Sequence, residues 1–228
     1  MKPPIVDSPE PVTLIGGGVL GAADLGTVLP FAPRLVAADG GADAALAAGR
    51  RPEAVIGDMD SISEGARAEL AEALHEISEQ ETTDFDKALR SIRAPLVLAV
   101  GLSGGRFDHD LAALNVLVRL AHLRCVVVGP ESLVFLAPPE LSLDLAPGTV
   151  VSLFPMGRVA GTSEGLRWPI EGLDFTPWGR IGTSNTATGP VRMTFDAPLM
   201  LVILPRRTLP EVVSSLAAPG AGGWPGAG

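Results

Sequence analysis

The sequence predicts an α/β protein, with a parallel sheet and its helices in the N-terminal part and an antiparallel sandwich or barrel in the C-terminal part. Three observations predict this. From Val12 onward, short apolar runs alternate with Ala-rich helical stretches, the pattern of parallel strands joined by helices. Around Pro138 the pattern changes to short runs separated by Gly, Pro, Asp and Thr at intervals of roughly ten residues. Acidic residues collect directly after the apolar runs, at the strand ends where open α/β sheets hold their ligands.

In chain order, Val12–Ile15, Arg34–Ala38 and residues 54–56 read as strands. Residues 64–74, rich in Ala, Glu, Leu and Arg, read as a helix, and 75–79 as a short strand. A second helix is expected over 84–92, capped by Thr83 or Asp84 and ended before Ala94-Pro95. Residues 95–100 form the clearest buried strand, followed by a turn over 101–105. Phe107, Leu111, Leu114, Leu117 and Val118 then recur at helical spacing, so 108–122 is expected to be a helix packed on the sheet. Cys125–Val128 returns as a strand, and 133–136 as one more. Beyond them, 141–145, 149–154, 180–183, 191–195 and 199–204 read as short strands with no convincing helix. The expected domains are 12–138 and 139–210, with flexible ends at 1–11 and 217–228.

The 228 residues, 46% of them hydrophobic, are enough to bury a substantial core. A net charge of −9 without any Lys/Arg run argues against binding nucleic acid or an anionic membrane surface. The single cysteine, Cys125, lies in an apolar run and is expected in the core, so neither an intrachain disulfide nor a cysteine metal cluster is expected. The N-terminus lacks the pattern of a signal peptide, and no apolar run approaches the roughly 18 residues of a membrane span. A soluble cytoplasmic protein is expected.

Five stretches carry chemistry. Gly16-Gly17-Gly18-Val19-Leu20-Gly21 fits a dinucleotide fingerprint, another phosphate-approaching turn, or a plain strand-to-helix turn; the short following segment, stopped by Pro30, weighs against the first. Asp39-Gly40-Gly41 ends the second strand, where glycines let backbone approach a ligand, although Asp39 also reads as a helix cap. Gly57-Asp58-Met59-Asp60-Ser61 puts two carboxylates at the third strand end, a set of oxygen donors suited to Mg²⁺ and equally compatible with a solvated loop. Asp84 and Lys87, three apart, share a helical face near a positive dipole end, as a capped helix with an ion pair would also arrange them. Gly104-Gly105-Arg106-Phe107-Asp108-His109 leads into the longest helix, where Arg106 either grips a phosphate or pairs with Asp108; His109 reads as structural.

The ordered set Ala38-Asp39-Gly40-Gly41-Ala42, Gly57-Asp58-Met59-Asp60-Ser61, Thr83-Asp84-Phe85-Asp86-Lys87-Ala88, Gly104-Gly105-Arg106-Phe107-Asp108-His109 and Thr183-Ser184-Asn185 resembles the thiamine pyrophosphokinase family. The resemblance implies a Rossmann-like N-terminal domain that binds ATP and Mg²⁺ and a C-terminal β-sandwich that binds thiamine. It further implies a homodimer with thiamine at the subunit interface, and the reaction ATP + thiamine → AMP + thiamine diphosphate. By the same resemblance, Asp39, Asp58, Asp60 and Asp84 match the acidic metal and catalytic cluster. Lys87, Arg106 and Asp108 match positions that meet the nucleotide phosphates or order the site, with Gly40 beside them. Gln80 resembles a position next to thiamine, Trp168 an aromatic that covers it from the partner subunit, and Ser184 and Asn185 the same pocket. Where the family often carries Asp, this chain has Glu79 and Glu81, which are therefore not assigned to the metal.

Two other readings compete. Val55-Ile56-Gly57-Asp58-Met59-Asp60 also resembles the Asp-x-Asp motif of haloacid-dehalogenase-type phosphatases, with Asp58 as nucleophile. That motif ordinarily follows the first strand of its fold, and here two strands precede it. The third reading is a module that binds a nucleotide without turnover.

Overall fold

The computed structural model describes residues 3–218 and 223–225. Residues 1–2, 219–222 and 226–228, part of the ends expected to be flexible, lie outside the described residues. The protein is mixed α/β, and its contacts divide it into two compact units: one takes the chain up to Val116 plus Val127–Pro130, the other Leu117–Val126 and the chain from Glu131 on.

The first part of the chain runs β1 (Val6–Asp7), β2 (Val12–Ile15), α1 (Asp24–Val28), β3 (Arg34–Ala38), α2 (Gly41–Ala47), β4 (Ala54–Gly57), α3 (Glu64–Glu69), β5 (Leu74–Glu76), α4 (Asp84–Arg90), β6 (Ile92–Arg93) and β7 (Val97–Val100). Strands β7, β2, β3, β4 and β5 lie side by side in that order, all parallel. Every residue of β2, β4 and β7 is buried, as expected for strands covered on both faces. The one polar residue among them, Thr13, donates its hydroxyl to the Ala32 carbonyl at 2.6 Å and so avoids an unsatisfied buried group. Ala37, Val55, Met59, Ile62, Ala66 and Leu70 form a buried cluster that fastens α3 beside β3 and β4.

The chain continues through α5 (Phe107–Arg119) and β8 (Cys125–Val128) into β9 (Ser132–Leu136), β10 (Glu140–Leu143), β11 (Val150–Pro155), β12 (Gly161–Leu166), β13 (Gly182–Phe195), β14 (Met200–Pro205) and α6 (Leu209–Leu216). In the second unit, β9, β14, β11 and β13 pair antiparallel in that order, and β10 and β12 also pair with β13. Side chains of β10 alternate exposed and buried, the signature of an antiparallel strand with one wet face.

Several elements differ from the sequence expectation. The expected strands at 180–183 and 191–195 are one continuous strand, β13, whose Gly189-Pro190 reads as a breaker in isolation. Pro190 is tolerated because the pairing of β12 with β13 is irregular between Leu166↔Ala187 and Glu164↔Arg192, which is where Pro190 falls. Helix α6 stands where no helix was expected; Leu209, Val212 and Leu216 bury one face, and Pro210 lies in its first turn, where its missing N–H costs nothing. The segment expected as one helix over 64–74 ends at Glu69 and passes through a 3₁₀ turn over Ala71–Ala73. Helix α5 buries Ala113, Val116 and Leu117 but leaves Phe107 and Leu111 exposed, so only part of its apolar stripe is packed. Within the ends expected to be flexible, Val6–Asp7 pairs with Ile92–Arg93 and the Trp224 indole donates to the Ala137 carbonyl at 2.8 Å.

Cys125 is buried, and burial pushes its thiol well above the usual range, so it is an inert core residue. No helix among the described residues is long and apolar enough to cross a membrane.

Candidate active site

Parallel pairing builds the site. Strands β3 and β4 run in register with Ala38 beside Ile56, so the residues that follow them, Asp39 and Asp58, leave the sheet at neighbouring carboxyl ends. Helix α4 packs against β4 and β3, and Thr83 caps it by accepting the Asp86 N–H at 3.3 Å. That cap starts the helix at Asp84 and puts Lys87 one turn later, against the strand ends.

Asp39 is 1% exposed and does not cap α2, whose N-cap is Gly40 without a side-chain bond. Its two carboxylate oxygens instead accept backbone N–H groups from the turn after β4, Ser61 at 2.9 Å and Ile62 at 3.2 Å. Asp58 Oδ2 receives the Lys87 ammonium at 2.7 Å and the Gln80 amide at 3.1 Å. Asp84 Oδ1 receives the same ammonium at 3.0 Å and the Asp58 N–H at 3.3 Å. Asp60 is exposed and accepts the Ser61 hydroxyl at 2.8 Å. Carboxylate oxygens of Asp39, Asp58 and Asp60 all lie within 4.8 Å of one another. Asp84, expected with them as a metal ligand, is tied to this trio through Lys87 and the Asp58 backbone.

Charge states follow from these contacts. Burial, chiefly, holds the Asp39 carboxyl above its ordinary value; the Ser61 N–H opposes this, and Asp84, Asp60 and Asp58 reinforce it. The Lys87 ammonium, chiefly through its hydrogen bond, holds the Asp58 carboxyl below the usual range. Burial alone would push Lys87 down, but Asp58 and Asp84 together outweigh it and hold its ammonium charged.

The backbone is also constrained here. Among the described residues, the non-glycine residues with positive φ are Asp39 (40°), Met59 (64°) and Ser184 (64°), each a candidate site residue or the residue between two of them. A buried Met in the left-handed region is strained by about 1–3 kcal/mol, and such strain persists where surrounding bonds over-determine it. Arg67 of α3 donates to the Met59 carbonyl, and Ser63, itself bonded to Asp43, caps α3. These three residues fix the Asp58-Met59-Asp60 turn, and sequence reading missed them as part of the site; only Ser63, a serine before a helical run, left a signal.

Gly57 is a steric requirement of the cluster. A Cβ there would lie 2.8 Å from the Asp39 Cβ and 3.0 Å from Asp84 Oδ1. Gly57→Ala is therefore expected to destabilise the protein by about 1–3 kcal/mol and to spread the carboxylates. Denaturant unfolding checks this; wild-type stability in the mutant would contradict it.

The remaining candidates occupy two other places. Arg106 and Asp108 pair with each other on the turn into α5, at 3.2 and 2.6 Å, and both are largely exposed. The pairing raises the guanidinium and lowers the carboxyl. In the second unit, the buried Asn185 donates to the Trp168 carbonyl at 2.7 Å and accepts the Trp168 N–H at 3.2 Å. Trp168 is 53% exposed, with the Arg167 guanidinium 4.9 Å from its ring centroid. Ser184 donates its N–H to the Ser152 hydroxyl at 2.9 Å.

Three converging carboxylates beside a buried lysine, at the carboxyl ends of parallel strands, define an α/β protein with a compact, all-oxygen acidic cluster whose geometry could hold a metal ion. Comparison with known proteins makes the assignment specific. Residues 26–128 match the family described as "Thiamin pyrophosphokinase, catalytic domain", and residues 140–200 match "Thiamin pyrophosphokinase, vitamin B1 binding domain". The chain is 33% identical to thiamine pyrophosphokinase 1 of Oryza sativa subsp. japonica, over 67% of this chain and 66% of that protein. It is 30% identical to thiamine pyrophosphokinase 2 of Arabidopsis thaliana, over 69% of this chain and 67% of that protein. These matches thus span about two thirds of each relative's length. The fold is that of thiamin pyrophosphokinase from Geobacillus thermodenitrificans, with a TM-score of 0.71 at 21% identity, covering 86% of this chain and 97% of that one. The chain belongs to the thiamine pyrophosphokinase family.

Proposed function

We propose that the chain transfers the pyrophosphoryl group of ATP to the hydroxyl of thiamine, giving thiamine diphosphate and AMP. The observation that carries this reading is the convergence of Asp39, Asp58 and Asp60 beside Lys87, within the stretch that matches the family's catalytic domain. In domain terms, residues 12–138 are read as a Rossmann-like ATP- and Mg²⁺-binding domain and 139–210 as a β-sandwich for thiamine and dimerisation. A cytoplasmic location belongs to the same proposal, since ATP is supplied there.

The donor set fits Mg²⁺: it is all oxygen, anionic and compact, and the neighbouring acids Asp84, Asp60 and Asp58, which add to the burial that chiefly raises Asp39, are charges a cation would offset. Asp39, Asp58, Asp60 and Asp84 would hold the ion, which when bound neutralises phosphate charge and polarises the phosphorus. The chain's own residues supply the rest. Lys87 holds the Asp58 carboxyl ionised, fixes both Asp58 and Asp84 through its ammonium, and adds positive charge beside the phosphates, as Arg106 does from the α5 turn with Asp108 orienting it and Gly40 beside the nucleotide. The thiamine hydroxyl oxygen bonds to the β-phosphorus, and the bond from that phosphorus to the α–β bridging oxygen breaks, leaving with AMP. Asp84 or Asp60 accepts the hydroxyl proton. Holding the two reactants in line contributes more than any covalent intermediate.

Gln80, Trp168, Ser184 and Asn185 are assigned to thiamine, whose cationic thiazolium suits both an aromatic face and an acidic site. The second unit exposes Val150, Trp168, Trp178 and Ile181, apolar surface that supports a homodimer with thiamine at the subunit interface. The Asp-x-Asp phosphatase and binding-module readings are not favoured, because the chain matches both family domains in order.

Trp168→Ala tests the thiamine assignment. Loss of one stacking partner, worth about 1–2 kcal/mol, is expected to raise the thiamine KM about tenfold and to change the ATP KM little. A larger effect on ATP than on thiamine in steady-state kinetics would remove Trp168 from the pocket.

A further inference from the structure

The turn that carries Gln80 is held by side chains that the carboxylate cluster does not use. Glu79 Oε2 accepts the backbone N–H groups of Glu81 at 2.8 Å and Thr82 at 3.0 Å, and Oε1 accepts the Thr82 hydroxyl. The same Oε1 lies 2.7 Å from Arg90 Nη2. The other arm of that guanidinium, Nη1, reaches Thr82 Oγ1 at 3.1 Å and Asp86 Oδ1 at 2.9 Å. Asp86 is buried in the first turn of α4. One guanidinium on the last turn of that helix therefore bridges a buried acid of α4 to the acid that folds the 79–82 turn. Gln80, between these anchors, points its amide at Asp58 Oδ2.

An exposed ion pair by itself contributes little. This one differs because Arg90 is fixed from below by a buried carboxylate and spends both arms of its fork at once, the geometry in which Arg gives positional precision. We propose that Glu79 and Arg90 are positioning residues that hold Gln80 against Asp58 and thereby set the affinity for thiamine. This rests on the reading of Gln80 as a thiamine-contacting residue. It also gives Glu79 a role that requires no contact with the metal.

The test is a double-mutant cycle on the full chain, measuring thiamine KM, ATP KM, kcat and thermal unfolding for Glu79→Ala, Gln80→Ala, the double mutant and Arg90→Lys. Glu79→Ala is expected to raise the thiamine KM about tenfold, the loss of one well-placed hydrogen bond, with the ATP KM within about twofold. In the Gln80→Ala background the same change is expected to add less than about twofold, because the two act as one unit. Arg90→Lys, which keeps the charge and loses the fork, should show the same selectivity for thiamine. Additive effects in the cycle, an equal rise in the ATP KM, or a lowered unfolding temperature with unchanged KM would overturn the proposal by making Glu79 merely structural. An unchanged thiamine KM in Gln80→Ala would remove Gln80 from the pocket, and this role with it. Wild-type protein that releases no AMP on addition of thiamine would contradict the activity itself, a result distinct from all of these.

Discussion

Asp58→Asn is expected to lower thiamine-dependent AMP release by about a hundredfold to a thousandfold or more, the range seen when one electrostatic stabiliser of a transition state is removed. The substitution is nearly isosteric, so packing around the β4 end should survive. What it removes is a full negative charge at the point where Asp39, Asp60 and Lys87 meet. Asn is a neutral and weaker oxygen donor, so cation affinity falls, and Lys87 loses the stronger of its two carboxylate partners. Steady-state AMP release checks the rate, and circular dichroism checks that the fold is kept. A fully active Asp58→Asn protein would contradict the cluster's role.

Lys87→Met carries the largest expected effect on stability. The ammonium is 1% exposed and bonds two carboxylates, Asp58 at 10% and Asp84 at 30% exposure. Removing one partner of such a group leaves uncompensated charge, at a cost of about 3–5 kcal/mol, and activity should fall with it. The pH dependence has a definite sign. The Asp58 carboxyl is depressed by Lys87, so its stabilising contribution is present above its ordinary value of 3.8 and is lost as pH falls through the depressed value. The Lys87 ammonium is raised, so its contribution is full below 10.5 and is lost as pH rises through the raised value. The stability gap between wild type and Lys87→Met should therefore be widest between those limits and shrink below about pH 3.8. Denaturant unfolding across pH checks this; a gap independent of pH would show that the loss is packing alone.

The inner parallel strands β2, β3, β4 and β7 could be read from the sequence because they are short apolar runs with almost every residue buried, and Val12–Ile15 and Arg34–Ala38 match to the residue; the partly buried edge strand β5, Leu74-His75-Glu76, carries no such run. The acids could be located because parallel topology puts whatever follows such a run at the ligand end of the sheet. What sequence could not show is how the acids are held. Asp39 reads equally well as a cap until the Ser61 and Ile62 amides are seen bonded to it across 22 and 23 residues. Met59 at positive φ carries no local sign, since Met does not favour that region; Arg67 and the buried cluster around it impose the turn. The Arg90 to Asp86 pair could have been found from its spacing of four on α4, but its link to Glu79 depends on the fold of the 79–82 turn. Gly189-Pro190 inside β13 and Pro210 in the first turn of α6 carry no local sign of their places, because the surrounding structure decides whether a proline breaks, continues or starts an element.

The most direct test is product analysis of ATP incubated with the wild-type protein and Mg²⁺, with and without thiamine. The account predicts AMP and thiamine diphosphate in equal amounts, formed only when thiamine is present. Release of ADP or inorganic phosphate independent of thiamine, or no AMP with thiamine present, would contradict it.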